Sequence, residues 1–470
     1  MDGVRGHALL LPFPAQGHIN PLMQLAKILI ANHFVVTFVN TDFIEKRLNN
    51  KSSEYMSFQS FPDGLPPEHG RTLKLPELCE SLQKHGPFHV ENIVEKIMQS
   101  LRVPPLTIIV ADGVFSFTQQ IADKFGVPRV AFWTTSACGF SAYYYMPLLI
   151  EQGYIPLKDD SGSCKNDVIS CIPEMEALRV KDLPSFLTVT DAEDYMFQYL
   201  LREAQNTHQA SLVLLNTFQE LEGPVLRDLN AKFGNKVLSI GPLLLSSACY
   251  GDLIADTKSS IWNEETSCLE WLDKQQESSV IYVCFGSIAV LSDEELVEFA
   301  WGLEASNQTF LWVIRPDLVR GSSAVLPGEF LERTKERGFF VAWAPQIKVL
   351  SHPSVGGFLT HSGWNSTIES ISYGVPMISS PFFAEQPTNR RFVDDVWKVG
   401  YEMRENVLRE EVEALVRKLM NLGEEQGREM RFRLKILKER AVASVKVGGA
   451  SYKNMQDFLR QMQMKMKIGN

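Results

Sequence analysis

Signature motifs of two common enzyme classes are absent from this 470-residue sequence. No GxGxxG fingerprint follows a predicted strand with an acidic residue about 20 positions later, which argues against a nicotinamide-dependent dehydrogenase. There is also no P-loop, so ATP hydrolysis is unsupported. No stretch approaches the roughly 18 uninterrupted apolar residues of a membrane-spanning helix, and the N-terminal apolar run is too short for a signal peptide. We expect a cytoplasmic protein that does not span a membrane.

Cysteines are few, and basic residues are outnumbered by acidic ones. The seven cysteines form no CxxC pair and no metal-ligand spacing, and their odd number favours a reducing compartment over a disulfide framework. A net charge of −10 argues against broad binding to nucleic acid or to anionic membranes, because either needs a positive footprint. The basic stretch at 428–440 is interrupted by acidic and apolar residues and is interpreted as a solvated helix face. We expect a monomer with small-molecule partners.

The chain is long enough for two domains, each of the α/β class. Near-continuous apolar runs alternate with helical patterns, which is typical of parallel sheets covered on both faces. Predicted strands cover 34–40, 106–112, 129–133, 211–217, 279–286, 309–315, 338–343, 355–360 and 375–380. The polar, Ser-rich segment 243–267 is the predicted linker between an N-terminal domain (1–242) and a C-terminal domain (268–450). Two doubly wound domains joined there are expected to face each other across a cleft. The sequence leaves open whether a final helix, at about 451–470, packs back on the first domain.

His18 lies in the stretch PFPAQGHINP, between a predicted strand and a predicted helix. Asn20 as a cap and Pro21 at the first helical position predict that the helix starts after His18. Ligands of open α/β sheets bind beyond the carboxyl ends of the strands, where this turn lies. Position alone fits a functional and a structural histidine equally well. Asp112 ends another predicted strand, so it is expected at the same edge.

The stretch from Trp343 to Gln386 contains the parts of a nucleotide-sugar site. Trp343 offers a flat face for a base, and Gln346 and Glu369 are suited to a ribose diol. Residues 360–367, THSGWNST, follow a strand and enter a helix, whose N-terminus favours a phosphate. Glu385 and Gln386 follow the next strand and suit sugar hydroxyls. Each residue alone has an ordinary structural explanation, but the ordered set at this spacing is specific.

This stretch resembles, over its whole length, the signature box of the plant UDP-sugar-dependent glycosyltransferases. The HSGWNS core usually has cysteine where this chain has Ser362. The segments PFPAQGHINP, ADGVFSF, FWTTSA, LLNTFQELE and FGS extend the resemblance along the chain. The resemblance implies the GT-B fold, two Rossmann-like domains with the sugar donor held by the C-terminal one. The implied donor-binding residues are Trp343, Ala344, Gln346, His361, Trp364, Asn365, Ser366, Glu369, Glu385, Gln386, Ser287 and Thr134. Of these, Trp364, Glu385, Gln386 and Thr134 are assigned to the hexose. A glutamine at the last position of the box, here Gln386, indicates that the sugar donor is UDP-glucose.

The same resemblance assigns His18 as general base and Asp112 as its partner. A neutral imidazole can take the proton of an acceptor hydroxyl, and a carboxylate on its other nitrogen stabilises the imidazolium. A single displacement at an α-linked donor gives a β-glycoside. The chain contains no DxD metal motif, so we expect that the reaction needs no metal. We also expect no cofactor, because UDP-glucose is a co-substrate.

The acceptor is expected to be a lipophilic plant small molecule, such as a phenolic, flavonoid or terpenoid. Aromatic residues of the N-terminal loops are candidates for its pocket, although any one of them fits the core as well. The candidates are Phe88, Phe140, Tyr144, Phe186 and Phe197. Two alternatives remain: carbon-linked glycosylation of a phenolic ring, and a catalytically silent binding protein.

Overall fold

The computed structural model describes residues 4–71, 74–158, 163–175, 178–248, 258–319, 325–404 and 406–464. The chain divides into two compact units. The first unit comprises Met1–Val180, Phe186–Ile261 and Ala441–Asn470, and the second comprises Lys181–Ser185 and Trp262–Arg440. Among the described residues, no helix combines the length and the apolar character needed to cross a bilayer.

The first unit is built on a seven-stranded parallel sheet in the order β3-β2-β1-β4-β5-β8-β9. The strands of this unit, including the separate antiparallel pair β6 and β7, are β1 (Gly6–Leu11), β2 (Phe34–Thr41), β3 (Met56–Phe61), β4 (Ile108–Asp112), β5 (Arg129–Trp133), β6 (Val168–Ile169), β7 (Leu178–Arg179), β8 (Leu212–Leu215) and β9 (Val237–Ser239). Its first nine helices are α1 (Gln16–Ala31), α2 (Asp42–Leu48), α3 (Leu75–Met98), α4 (Thr118–Lys124), α5 (Ala137–Tyr144), α6 (Met146–Glu151), α7 (Tyr195–Asn206), α8 (Gln219–Lys232) and α9 (Leu243–Ala248). Every residue of β1, β2, β4 and β5 is buried, as expected for strands covered on both faces.

The second unit repeats this plan with a six-stranded parallel sheet in the order β12-β11-β10-β13-β14-β15. Its strands are β10 (Val280–Cys284), β11 (Thr309–Val313), β12 (Gly338–Val341), β13 (Val355–Thr360), β14 (Met377–Ser379) and β15 (Gly400–Glu402). Its helices are α10 (Ser267–Leu272), α11 (Asp293–Ser306), α12 (Gly328–Thr334), α13 (Gln346–Leu350), α14 (Trp364–Tyr373), α15 (Gln386–Arg391), α16 (Arg409–Met420) and α17 (Glu425–Val445), the last of which ends in the first unit. Helix α11 starts with a capping box in which Ser292 and Glu295 satisfy each other's backbone N–H groups.

Strand order reverses in the middle of both sheets, between β1 and β4 and between β10 and β13. Loops that leave the carboxyl ends of such a strand pair diverge to opposite faces and open a crevice between them. The two switch points are therefore the places in this fold where ligands are expected.

The predicted linker at 243–267 is wrong over its first part. Leu243–Ala248 forms helix α9, which packs on α1 with Leu243 buried in the first unit's core. Residues 249–257 lie outside the described ranges, and the division between the units falls after Ile261. The Ile261 N–H donates to Gln16 Oε1 at 2.7 Å, which ties the end of this segment to the first unit. Helix α9 was taken for part of a linker because its serines are typical of linker sequences.

The C-terminal segment joins the first unit from Ala441 onward rather than after residue 450. Its last helix, α18 (Ala450–Met464), packs on β9. Phe458 and Leu459 on this helix are buried in the same hydrophobic core as β1 and α1. The chain therefore completes its first core with its last helix.

Candidate active site

His18 lies in the first turn of α1 rather than in a turn before it. The helix begins at Gln16, with Ala15 as N-cap, so the predicted start at Pro21 is wrong. The Asn20 side chain does not cap the helix; its Oδ1 accepts a hydrogen bond from Gln16 Nε2 at 2.5 Å. Pro21 is tolerated in the second turn because its missing N–H removes a single helical hydrogen bond. His18 is thereby held on a rigid element directly after β1.

His18 and Asp112 meet at the first switch point. Asp112 ends β4, the neighbour of β1, and its Oδ2 lies 2.6 Å from His18 Nδ1. The carboxylate is almost completely buried, whereas the imidazole is 28 % exposed. The backbone N–H groups of Phe13 and Val114 donate to Oδ2 and Oδ1, each at 3.3 Å, and fix the carboxylate. With the Nδ1 proton donated to Asp112, Nε2 carries the basic lone pair.

Thr134 also lies beside His18. Its Oγ1 is 2.9 Å from His18 Nδ1, the nitrogen that faces Asp112. Thr134 directly follows β5, so three neighbouring strands bring their carboxyl ends to one imidazole. The residue assigned to the hexose by resemblance therefore also orients the histidine.

Two buried residues of α7 support the loop that follows Asp112, and sequence reasoning missed both. The Tyr199 hydroxyl donates to the Val114 carbonyl at 2.7 Å, and Glu203 accepts from the Ser116 N–H at 2.8 Å. Burial raises the pKa of the Glu203 carboxyl. A glutamate on the apolar face of a helix was the signal that could have found this support.

His361 lies at the second switch point. It follows β13, and Gly286 and Ser287 follow the neighbouring β10. A Cβ on Gly286 would lie 2.6 Å from His361 Cε1, and one on Gly363 would lie 2.4 Å from Nε2. Both flanking glycines are needed, because their backbones pack directly against the ring. Burial and the nearby Arg315 guanidinium lower the pKa of His361 to about 4, so the ring is neutral at pH 7.

The predicted ribose-binding residues contact one another. Gln346 Nε2 donates to Glu369 Oε2 at 2.7 Å and to Ser366 Oγ at 3.0 Å. Burial raises the pKa of Glu369 to about 7 against the opposing effect of the Gln346 hydrogen bond. Half-buried Trp343 stacks on Trp262, with ring centroids 6.0 Å apart. Ala344 is buried beside Trp343, and Asn365 is half-buried in the first turn of α14.

The residues predicted to contact the hexose divide into two groups. Trp364 is 2 % exposed and its ring packs against Trp397, so the ring belongs to the core, and the contact of Trp364 with the hexose stays a prediction. Gln386 Oε1 accepts from the backbone N–H groups of Phe382 and Phe383 at 2.8 and 3.1 Å. This leaves the Gln386 amide nitrogen as its donor for a hydroxyl, next to the buried Glu385.

The five aromatic residues predicted to form the acceptor pocket do not form one lining. Phe140 and Phe197 are at most 1 % exposed and belong to the core, so this prediction is wrong for both. Tyr144 packs on Phe140 as part of the same aromatic cluster. Phe88 is 68 % exposed on α3, and Phe186 is half-buried. Their aromatic character alone did not distinguish core residues from residues that line a pocket.

The Phe13 ring packs against the histidine, and a second aromatic ring packs against Phe13. The Phe13 ring centroid is 5.2 Å from that of His18 and 5.9 Å from that of Phe115. Gly86 of α3 approaches the neighbouring Phe117, where an added Cβ would lie 3.2 Å from Cζ. Sequence reasoning missed these rings because they lie in the short loops that follow β1 and β4.

Comparisons with known proteins show the family to which the chain belongs. Residues 77–440 match the sequence model of the family UDP-glucoronosyl and UDP-glucosyl transferase. The chain is 48 % identical to 7-deoxyloganetin glucosyltransferase of Gardenia jasminoides, with 97 % of each chain covered. It is 45 % identical to (R)-mandelonitrile beta-glucosyltransferase of Prunus dulcis, again over 97 % of each.

A solved structure gives the same result for the fold. Phytolacca americana UGT2, complexed with UDP-2fluoro-glucose and pterostilbene, superposes with a TM-score of 0.79 at 28 % identity. The match covers 97 % of this chain and 99 % of that one. The predicted GT-B fold with two Rossmann-like domains is thereby confirmed. The chain belongs to the UDP-glucoronosyl and UDP-glucosyl transferase family, and it is a plant-type UDP-glycosyltransferase.

Proposed function

We propose that this protein transfers glucose from UDP-glucose to a hydroxyl group of a lipophilic small molecule, with inversion at the anomeric carbon. The observation that carries the proposal is the 2.6 Å contact between His18 Nδ1 and Asp112 Oδ2 at the first switch point. Two relatives named as glucosyltransferases, one of them a beta-glucosyltransferase, support glucose and a β-linked product.

In this mechanism His18 Nε2 takes the proton of the acceptor hydroxyl as its oxygen attacks the anomeric carbon. The new C–O bond forms while the bond from the anomeric carbon to the β-phosphate oxygen breaks. UDP leaves with that electron pair, and the proton stays on the imidazolium, which Asp112 stabilises. Thr134 Oγ1, 2.9 Å from Nδ1, helps to hold the ring for this step.

The donor is assigned to the second unit by the same proposal. Trp343 stacks on uracil and Gln346 with Glu369 binds the ribose, while Ser287, His361, Asn365 and Ser366 bind the pyrophosphate. The N-terminus of α14 lies in this group of residues, and its helix dipole favours phosphate. Gln386 and Glu385 bind glucose hydroxyls. Fixed dipoles of this kind stabilise the leaving diphosphate without a metal.

The acceptor is proposed to be an alcohol or phenol with an apolar body. The Phe13 ring lies beside the His18 ring, and an apolar group at this place suits an acceptor with little charge. Mandelonitrile, which names the acceptor of one relative, combines a hydroxyl with an aromatic ring. Pterostilbene, bound to the solved neighbour, is a further probe of this class.

The test is to incubate the purified protein with UDP-glucose and a panel containing mandelonitrile, pterostilbene and terpenoid alcohols. Product mass identifies hexose transfer, and the anomeric proton coupling in NMR identifies the β configuration. A hexose adduct that acid hydrolyses supports an oxygen-linked glucoside. An acid-stable adduct overturns oxygen transfer in favour of a carbon link, and UDP binding without any adduct favours a silent binding protein. His18→Ala must abolish turnover and retain UDP binding.

A further inference from the structure

Arg315 is a buried cation at the carboxyl edge of the second sheet. It lies two residues beyond the end of β11, next to the end of β10, and is 1 % exposed. Its Nη1 donates to the Gly286 carbonyl, and its Nη2 donates to the Ala289 carbonyl at 2.7 Å. One guanidinium therefore holds two backbone carbonyls of the loop between β10 and α11.

This loop is also the one that touches His361. Gly286 has φ +73°, and its backbone packs directly against the His361 ring. Ser287, predicted to bind the pyrophosphate, lies between the two carbonyls that Arg315 holds. The guanidinium, the loop and His361 thus form a continuous group at the switch point.

The positive charge of Arg315 is only partly compensated. Its Nε donates to Asp317 Oδ1 at 2.9 Å, but the Asp317 side chain is 48 % exposed and screened by water. Burial lowers the pKa of His361, and the nearby positive charge of Arg315 lowers it further. A buried cation that disfavours a second positive charge favours an anion at the same place.

We propose that Arg315 is a positioning residue of the donor site, which fixes the loop carrying Ser287 and supplies buried positive charge for the pyrophosphate of UDP-glucose. The inference rests on the proposed function, because it assumes that the pyrophosphate binds at Ser287 and His361. Since two carbonyls already hold the guanidinium, Arg315 acts through the loop and through its field rather than by moving onto the phosphate.

The chain offers a matched control for a purely structural arginine. Arg431 Nη2 donates to the carbonyls of Gly356 and Leu419, at 3.1 and 2.9 Å, within the same unit. Gly356 lies at the start of β13, whereas His361 follows its end. Arg431→Met therefore removes a similar pair of hydrogen bonds to backbone carbonyls, at the opposite edge of the sheet.

The experiment compares Arg315→Met, Arg315→Lys and Arg431→Met by UDP titration calorimetry, steady-state kinetics and thermal melting. Arg315→Met is expected to weaken UDP binding by about tenfold or more, because the charge-assisted hydrogen bonds that hold the loop are lost. KM for UDP-glucose rises in parallel, and KM for the acceptor is unchanged. Arg315→Lys keeps the charge and recovers part of the affinity. Arg431→Met lowers the melting temperature and leaves UDP affinity unchanged.

Each other result decides against the inference. If His361→Ala loses UDP affinity while Arg315→Met keeps it, the inference fails and the proposed donor site stands. If the wild-type protein binds no UDP, the proposed function fails and the inference with it. If Arg315→Met does not fold, Arg315→Lys carries the test, and an unchanged KM for UDP-glucose in this variant overturns the proposal.

Discussion

Asp112→Asn is the perturbation that tests the proposed base most directly. The substitution keeps the size of the side chain and removes its charge. In the native protein, Asp112 Oδ2 receives His18 Nδ1 at 2.6 Å and the Phe13 N–H at 3.3 Å, while Oδ1 receives the Val114 N–H at 3.3 Å. An asparagine that places its oxygen at the Oδ2 position retains two of these three interactions. The opposite orientation retains one, so we expect the first, with the proton still on Nδ1.

The magnitude follows from the loss of charge alone. An imidazolium and a carboxylate about 4 Å apart attract each other by about 4 kcal/mol at an effective dielectric constant of 20. Part of this is offset because the amide oxygen still accepts the Nδ1 proton. We expect a net loss of about 2–3 kcal/mol in the transition state, which lowers kcat roughly 30- to 160-fold. Asp112→Ala also frees the ring and approaches the full loss of base catalysis, roughly 10²–10⁴-fold.

The assay is the initial rate of product formation at saturating UDP-glucose and acceptor, with UDP binding measured in parallel. UDP affinity is expected to be unchanged, because Asp112 belongs to the first unit and the proposed donor residues of the pyrophosphate belong to the second. Asp63→Asn is the matched control. Asp63 is a buried aspartate of the same unit that pairs with Arg71 at 2.7 Å, so its loss affects stability and not the kcat of folded protein.

Two results would refute this reasoning. Equal turnover by the wild-type protein and Asp112→Asn would show that Asp112 does not stabilise a charged His18. A lower rate for Asp112→Asn than for Asp112→Ala would show that the amide group forces the wrong tautomer of the imidazole.

Three further predictions concern the second unit. Ser362 Oγ is buried without a hydrogen-bond partner among the described residues, so Ser362→Cys should raise the free energy of unfolding by about 1 kcal/mol. The control is Ser370→Cys, which loses a hydrogen bond to the Val375 carbonyl and should lower the free energy of unfolding in the same thermal melts. Because the pKa of Glu369 in the folded state is raised to about 7, the native state loses stability as the pH rises from about 4.5 to 7. The variant Glu369→Gln should therefore be more stable than the wild-type protein by up to roughly 3 kcal/mol at pH 8 and little changed at pH 5. Equal shifts of the melting temperature at both pH values would contradict the raised pKa. Chelator should leave the rate of glucosyl transfer unchanged, and a rate abolished by chelator and restored by a divalent cation would show a metal requirement.

Much of the fold was readable from local patterns. Strands at 129–133 and 355–360 were predicted with the bounds that the structure shows, because apolar β-type runs ended by polar residues are local signals. The strands Met56–Phe61, Val237–Ser239 and Gly400–Glu402 were missed, because they lie at the sheet edges and carry weaker apolar patterns. Helix α9 was missed because its serines resemble those of a linker.

The sequence by itself determined the family, the two α/β domains and the candidate site residues. The strand ends and the box from Trp343 to Gln386 can be recognised from the order of residues along the chain. Tertiary structure alone decided which side chains meet. The 2.6 Å contact of His18 with Asp112, separated by 94 positions, depends on the pairing of β1 with β4. The brace between Arg315 and the Gly286 carbonyl depends in the same way on β10 pairing with β11. Burial of Phe140 and Trp364 was likewise undecided by the sequence, because an apolar stripe at helical spacing looks the same whether it faces a core or a ligand.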